Sequence, residues 1–99
     1  MVANRIKLIN ISEVEFVKSD MAGIYVVCPK GEFYNDLTLK VVEKKMHFVR
    51  CHKQYLVNID HVDEITLGEN MLALITTQSG KEVPVSRRHL RKLKETIGI

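Results

Sequence analysis

Apolar and polar residues alternate along most of this chain with the period of two that marks half-buried strands, and the period lengthens at only two places. Arg5 to Asn10 alternates, as does Glu13 to Ser19, the second run setting Val14 and Phe16 on one face. A loop from Ser19 to Gly23 leads into a strand, Ile24 to Cys28. Pro29-Lys30-Gly31 is a hairpin turn, so Glu32 to Asn35 should pair back on that strand. From Asp36 the apolar residues Leu39, Val42 and Met46 recur at helical spacing. Asp36 or Thr38 is available as N-cap and Lys44-Lys45 sits near the C-terminal end, which predicts about two helical turns. Two β-rich runs, Val62 to Leu67 and Met71 to Thr76, flank Gly68-Glu69-Asn70 as a hairpin. After a second turn, Gln78 to Lys81, comes a short strand, Glu82 to Val85, whose Pro84 suits an edge. The second helical stretch closes the chain: Ser86 as N-cap, Leu90, Leu93 and Ile97 as a narrow apolar stripe, and Gly98 as terminator. Seven or eight short strands with one internal and one C-terminal helix describe a mainly antiparallel β domain.

Between the two helices lies the stretch on which the rest is centred, Phe48 to Asn58. Arg50, His52 and Lys53 fall within four positions, and three groups that can all carry charge are costly to desolvate together. The flanking Phe48, Leu56 and Val57 belong in a core. The segment therefore reads as a strand end and turn, anchored by its apolar residues and presenting donors outward; the plainer alternative is a solvated edge with ordinary surface charge.

With 99 residues, 45% of them hydrophobic, the chain has material for one modest core, and a single domain over residues 1–99 is the simplest division. The net charge of +3 permits a polyanionic partner without demanding one. Its distribution says more. Five of the fifteen basic residues lie between Arg87 and Lys94, and four more, Lys44, Lys45, Arg50 and Lys53, lie within ten residues of one another. Arg87 and Arg88 occupy the first turn of the last helix, where the helix dipole disfavours cations unless an anion is supplied. The plainer account of those arginines is that their long stems cover the β surface.

Catalytic chemistry finds little footing. His47, His52, His61 and His89 show no paired ligand spacing, and the chain lacks a Gly-rich phosphate loop and a Gly-x-Ser-x-Gly elbow. Cys51 and His52 are adjacent on an extended chain and so point to opposite faces, which argues against a Cys-His nucleophile. Cys28 and Cys51 form no Cys-x-x-Cys and are expected reduced and structural. No window of 18 apolar residues and no secretion signal is present, so a cytoplasmic protein with no enzymatic role, metal or cofactor is expected.

Three segments carry a resemblance: Phe48-Val-Arg-Cys-His-Lys-Gln-Tyr-Leu-Val-Asn58, His61-Val-Asp-Glu-Ile65 and Val83-Pro-Val-Ser-Arg-Arg-His-Leu-Arg-Lys-Leu93. They resemble the LytTR DNA-binding domain, the output module of a class of bacterial response regulators, over nearly the whole chain. The resemblance implies about ten short strands in small antiparallel sheets with few helices, and DNA read by loops instead of a recognition helix. It implies contacts from three places: the loop after the second strand, the segment after the Phe-x-Arg motif, and the start of the last helix. Residue by residue these become Lys18, Met21, Ala22 and Gly23; His52 and Lys53; and Arg87 and Arg88. The first place departs from the family's common Gly-Asn-Tyr, since this chain has Gly23-Ile24-Tyr25 behind a longer loop. The spelling is similar to regulators paired with membrane sensor kinases of the LytS type, which carry a phosphorylatable receiver domain.

Arginine offers a planar fork for guanine and lysine a point charge. Arg88 and Lys53 are accordingly assigned to base edges, and Arg87, Arg91, Lys92 and His52 mainly to phosphate. So few contacts from one domain call for two copies on repeated half-sites, dimerised by the receiver. The rivals are a basic β-rich module for an acidic protein partner, and single-stranded RNA binding, which wants aromatics among the cations where only Tyr55 is present.

Overall fold

A computed structural model of the chain describes residues 9–35, 38–69 and 72–98. Eight strands among these residues make two antiparallel sheets. The larger contains β1 (Phe16–Asp20), β2 (Gly23–Cys28), β3 (Gly31–Asn35), β4 (Val49–His52) and β5 (Tyr55–Val57), in the order β3-β2-β1-β5-β4. The smaller contains β6 (Val62–Leu67), β7 (Ala73–Thr77) and β8 (Glu82–Val85) in sequence order. Two helices, α1 (Leu39–Met46) and α2 (Arg87–Ile97), complete the regular structure among the described residues, with short 3-10 turns at Ile11–Glu13 and Ile59–His61.

The larger sheet is buried on both faces, and alternation along its strands sorts the two cores. Val17, Ile24, Val26, Cys28 and Leu56 pack with Leu39 and Val42 of α1 and with Phe48. On the other face Phe16, Val27, Cys51 and Val57 pack with Ala73, Ile75, Val83 and Val85 of the smaller sheet and with Leu90 and Leu93 of α2. Layers thus run α1, large sheet, then small sheet with α2. Each helix is amphipathic because it covers one of these cores and meets water on its other side.

Local chemistry sets the boundaries. Thr38, in extended conformation, accepts the Val41 N–H through its hydroxyl and caps α1. His47, left-handed at φ 58°, ends that helix. Gly98 closes α2 at φ 83°, its N–H donating to the carbonyls of Lys94 and Glu95. Pro84 lies on β8, an edge strand of its sheet, where a missing donor does least harm.

Several expectations are corrected. The run Glu13 to Ser19 is not one strand: a 3-10 turn occupies Ile11–Glu13, β1 begins at Phe16, and Val14 and Phe16 join different cores. Glu15 between them is fully buried. Its carboxylate accepts hydrogen bonds from Ser79 Oγ at 2.7 and 2.9 Å and lies 3.4 Å from Lys81 Nζ, tying the first strand region to the β7–β8 turn. The expected ladder Met71 to Thr76 is described from Leu72, with β7 running Ala73–Thr77. The expected strand Arg5 to Asn10 falls mostly outside the described residues, as do Asp36 and the hairpin-tip residue Asn70.

Candidate nucleic-acid interface

Strand pairing decides which loops meet. β1 and β5 are antiparallel, with Phe16 opposite Val57 and Lys18 opposite Tyr55, so the C-terminal end of β1 lies beside the N-terminal end of β5. The β1–β2 turn at Met21-Ala22 and the β4–β5 turn at Lys53-Gln54 therefore project from the same end of the large sheet, and the Ser19 N–H joins them by donating to the Gln54 carbonyl at 2.9 Å. The register of β4 on β5 shifts between Arg50 and His52, an irregularity that interrupts regular pairing at Cys51. The Cys51 carbonyl accepts instead from the Ser86 N–H at 3.0 Å, which brings the start of α2 against the same end of the sheet.

Each turn is stiffened by its own side chains. Asp20 Oδ1 accepts the Ala22 N–H at 2.8 Å, an Asx turn, and the Tyr34 hydroxyl donates to the Ala22 carbonyl at 3.3 Å. Gly23 has φ 145°, which favours glycine, and a Cβ there would sit 2.6 Å from the Tyr34 ring and push it aside. In the second turn the Gln54 N–H donates to His52 Nδ1 at 3.1 Å, which leaves Nε2 to carry the ring proton of a neutral His52. Arg50 donates to the Lys53 carbonyl at 2.9 Å and to Glu43 Oε1 of α1 at 3.0 Å, while its Nε has no hydrogen-bond partner among the described residues. Arg50 is thus a half-buried strut beneath the turn, not one of three cations presented to solvent as the sequence suggested.

The helix start departs from expectation in one respect. Ser86 stands at the N-cap with extended backbone, yet its side chain makes no cap hydrogen bond. Its Oγ lies 2.6 Å from His89 Nδ1 instead. The first turn of α2 therefore lacks a side-chain acceptor just where Arg87 and Arg88 already load it with positive charge. Burial holds the His89 imidazole below its ordinary pKa, helped by the charges of Arg50 and Arg88 and by His52. His89 thus sits among cationic groups of strand β4 and helix α2, with Glu43 of α1 opposing them.

Of the residues singled out by sequence, Met21, Ala22, Lys53, Arg87, Arg88, Arg91 and Lys92 are exposed and His52 and Gly23 half-buried. Arg88, Arg91 and Lys92 share one side of α2, opposite Leu90, Leu93 and Ile97. Lys18 is the exception: it lies back from the turn and pairs with Glu32 at 3.1 Å, so a phosphate would have to compete for it. Sequence reasoning did not find the supporting roles of Asp20, Tyr34, Arg50 and His89, and it had read Arg50 as an outward donor. It also counted Tyr55 as the sole aromatic near the cations. Register places Tyr34, Tyr25, Lys18, Tyr55 and His52 in one row across all five strands, with Tyr25 edge-on to Tyr34 and His52 edge-on to Tyr55. Among the described residues no cluster of three or more His, Cys, Asp or Glu side chains could hold a metal ion, and no helix is long and apolar enough to cross a membrane.

Residues 4–98 match the family model of the LytTr DNA-binding domain. The chain belongs to that family. It is 52% identical over 95 residues to a response regulatory protein of Vibrio cholerae, covering 96% of this chain and 40% of that protein. It is 45% identical over 97 residues to the transcriptional regulatory protein BtsR of Escherichia coli K12, covering 97% of this chain and 41% of BtsR. The chain thus spans about two fifths of the length of the curated relatives it matches. A solved LytTr DNA-binding domain from Bacillus cereus superposes with a TM-score of 0.86 over 92% of this chain and 86% of that one, at 22% identity, which establishes the shared fold. The mainly β architecture, with two antiparallel sheets and two helices, is that of the LytTr domain.

Proposed function

We propose that this LytTr domain reads the major groove of double-stranded DNA with the β1–β2 turn, the β4–β5 turn and the start of α2, as the output domain of a response regulator. The observation that carries the reading is the convergence of these three segments, remote in sequence, at one end of the large sheet. Arg88 and Lys53 address base edges, where a guanidinium fork or an ammonium finds guanine acceptors. Arg87, Arg91, Lys92 and the His52 Nε2–H address phosphates and so fix orientation without reading sequence. The cationic first turn of α2, where Ser86 makes no side-chain cap hydrogen bond, suits an incoming phosphate, because the helix dipole and the basic side chains there both favour negative charge.

The names of the relatives support a wider context. In the full-length protein a receiver domain, phosphorylated by a sensor histidine kinase, would bring two such domains onto repeated half-sites. The paired copies would supply the affinity that one small interface lacks. The protein would act in the cytoplasm.

The test is selection of duplexes from a random pool, followed by titration of the recovered site and a scrambled one across salt. The recovered site binds more tightly than the scrambled duplex, and log K falls with log salt at a slope close to 0.9 per phosphate neutralised. A flat salt response, or equal binding to both duplexes, contradicts the reading; the latter is what a basic surface made for an acidic protein would give.

A further inference from the structure

We infer that Met21 reads the 5-methyl group of a thymine, which makes it a specificity residue of a different kind from the cations around it; the inference rests on the duplex-reading function proposed above. Met21 is the most exposed large hydrophobic residue among those described, with a relative exposure of 105%. It stands at the tip of the β1–β2 turn, alongside the Lys53 turn and the start of α2. A lone exposed apolar side chain needs no explanation by itself. This one differs in how it is held. The Asp20 carboxylate fixes the Ala22 N–H, the Tyr34 hydroxyl fixes the Ala22 carbonyl, and the Tyr34 ring, edge-on to Tyr25 at 5.7 Å, closes over Gly23. An Asx turn is ordinary in a solvated loop, but here the Tyr34 ring and hydroxyl are added to it, and backbone order established before binding does not have to be supplied during it.

The side chain then decides what can be read. Methionine has no hydrogen-bond donor and no charge, so it contributes nothing to a phosphate and cannot address guanine or adenine acceptors. The apolar group that the major groove displays is the C5 methyl of thymine. An unbranched, polarisable thioether moulds itself around such a group without demanding a single geometry. The tip therefore distinguishes thymine from cytosine at one base pair by apolar contact, beside cations that distinguish guanine by hydrogen bonds.

The test uses this domain and the duplex recovered by selection. Each thymine is replaced in turn by deoxyuridine, which removes the methyl and leaves the pairing edge intact. At one position the parent protein loses about three- to fivefold in affinity, the size of burying one methyl group. Met21→Ala is weaker than the parent on the thymine duplex and indifferent to that deoxyuridine, while Met21→Leu keeps most of the discrimination. Thermal melts of the three proteins coincide, since the residue touches no core. If deoxyuridine at no position costs the parent more than it costs Met21→Ala, the assignment is overturned while duplex reading stands. If Met21→Ala loses equally on thymine and deoxyuridine duplexes, the side chain acts as a wedge and not as a methyl reader, and the assignment is again overturned. Failure to recover any preferred duplex would instead remove the reading on which the inference rests.

Discussion

Replacing Glu15 by glutamine probes the polar latch that ties β1 to the smaller sheet. The carboxylate is fully buried, accepts from Ser79 Oγ at 2.7 and 2.9 Å and faces Lys81 at 3.4 Å. Hydrogen bonds to a charged group are worth roughly 1.5–3 kcal/mol each. Three considerations lower the sum. Glutamine keeps one acceptor oxygen; Ser79 is exposed and the Lys81 side chain is 35% exposed, so both recover water; and a neutral amide is cheaper to bury than a carboxylate. A net loss of about 1–3 kcal/mol results, and at roughly 4–8 °C per kcal/mol for a domain of this size it lowers Tm by about 4–24 °C. The sign with pH is distinctive. Burial alone would raise the Glu15 pKa, but Thr77, Ser79 and Lys81 together outweigh it and hold the carboxyl below its ordinary value. A carboxyl depressed in the folded state adds stability that is present above the unfolded value, about 4.3, and is lost as pH falls through the folded value. Urea denaturation followed by circular dichroism should therefore show the parent well ahead of Glu15→Gln at pH 7, with the gap closing in acid. Equal stabilities at neutral pH, or a gap unchanged down to pH 3, would refute the reasoning.

Phe48 packs beneath α1 against Leu56 and anchors the strand that leads to Lys53, so Phe48→Ala should cost about 3–5 kcal/mol; a melt within a degree or two of the parent would show that it is not a core residue. Burial pushes the Cys51 thiol up to about 12 and also raises Cys28, so neither should react with a thiol reagent at pH 8 until urea unfolds the domain; prompt native labelling of Cys51 would contradict its placement in the core.

Most elements were legible because each announces itself locally: Thr38 caps α1, Gly98 ends α2, and Leu90 and Leu93 repeat at helical spacing on a buried stripe. The family resemblance likewise named three segments that the fold brings to one end of the large sheet. What local pattern could not deliver were partners distant in sequence. Glu15 reads as one polar position in an alternating strand because Ser79 and Lys81 lie 64 and 66 residues away. Arg50 reads as a surface cation because Glu43 sits across a helix–strand junction. The brace on Met21 depends on Tyr34, twelve residues beyond the carbonyl it holds. Convergence of the three candidate segments rests on the pairing of β1 with β5, strands separated in sequence by three others and a helix, and periodicity carries no information about such a pairing.

The division of labour between reading and holding is the centre of this account, and four affinities test it. Arg88 and Lys92 share one exposed side of α2, away from the buried Leu90 and Leu93, so alanine at either should leave the fold intact. On the selected duplex Arg88→Ala should lose roughly 1–3 kcal/mol and relax the preference at one base pair, with a smaller loss on a scrambled duplex. Lys92→Ala should weaken both duplexes by similar factors and reduce the salt slope by about one. An Arg88→Ala loss that is the same on selected and scrambled DNA would contradict the account and leave Arg88 a phosphate clamp.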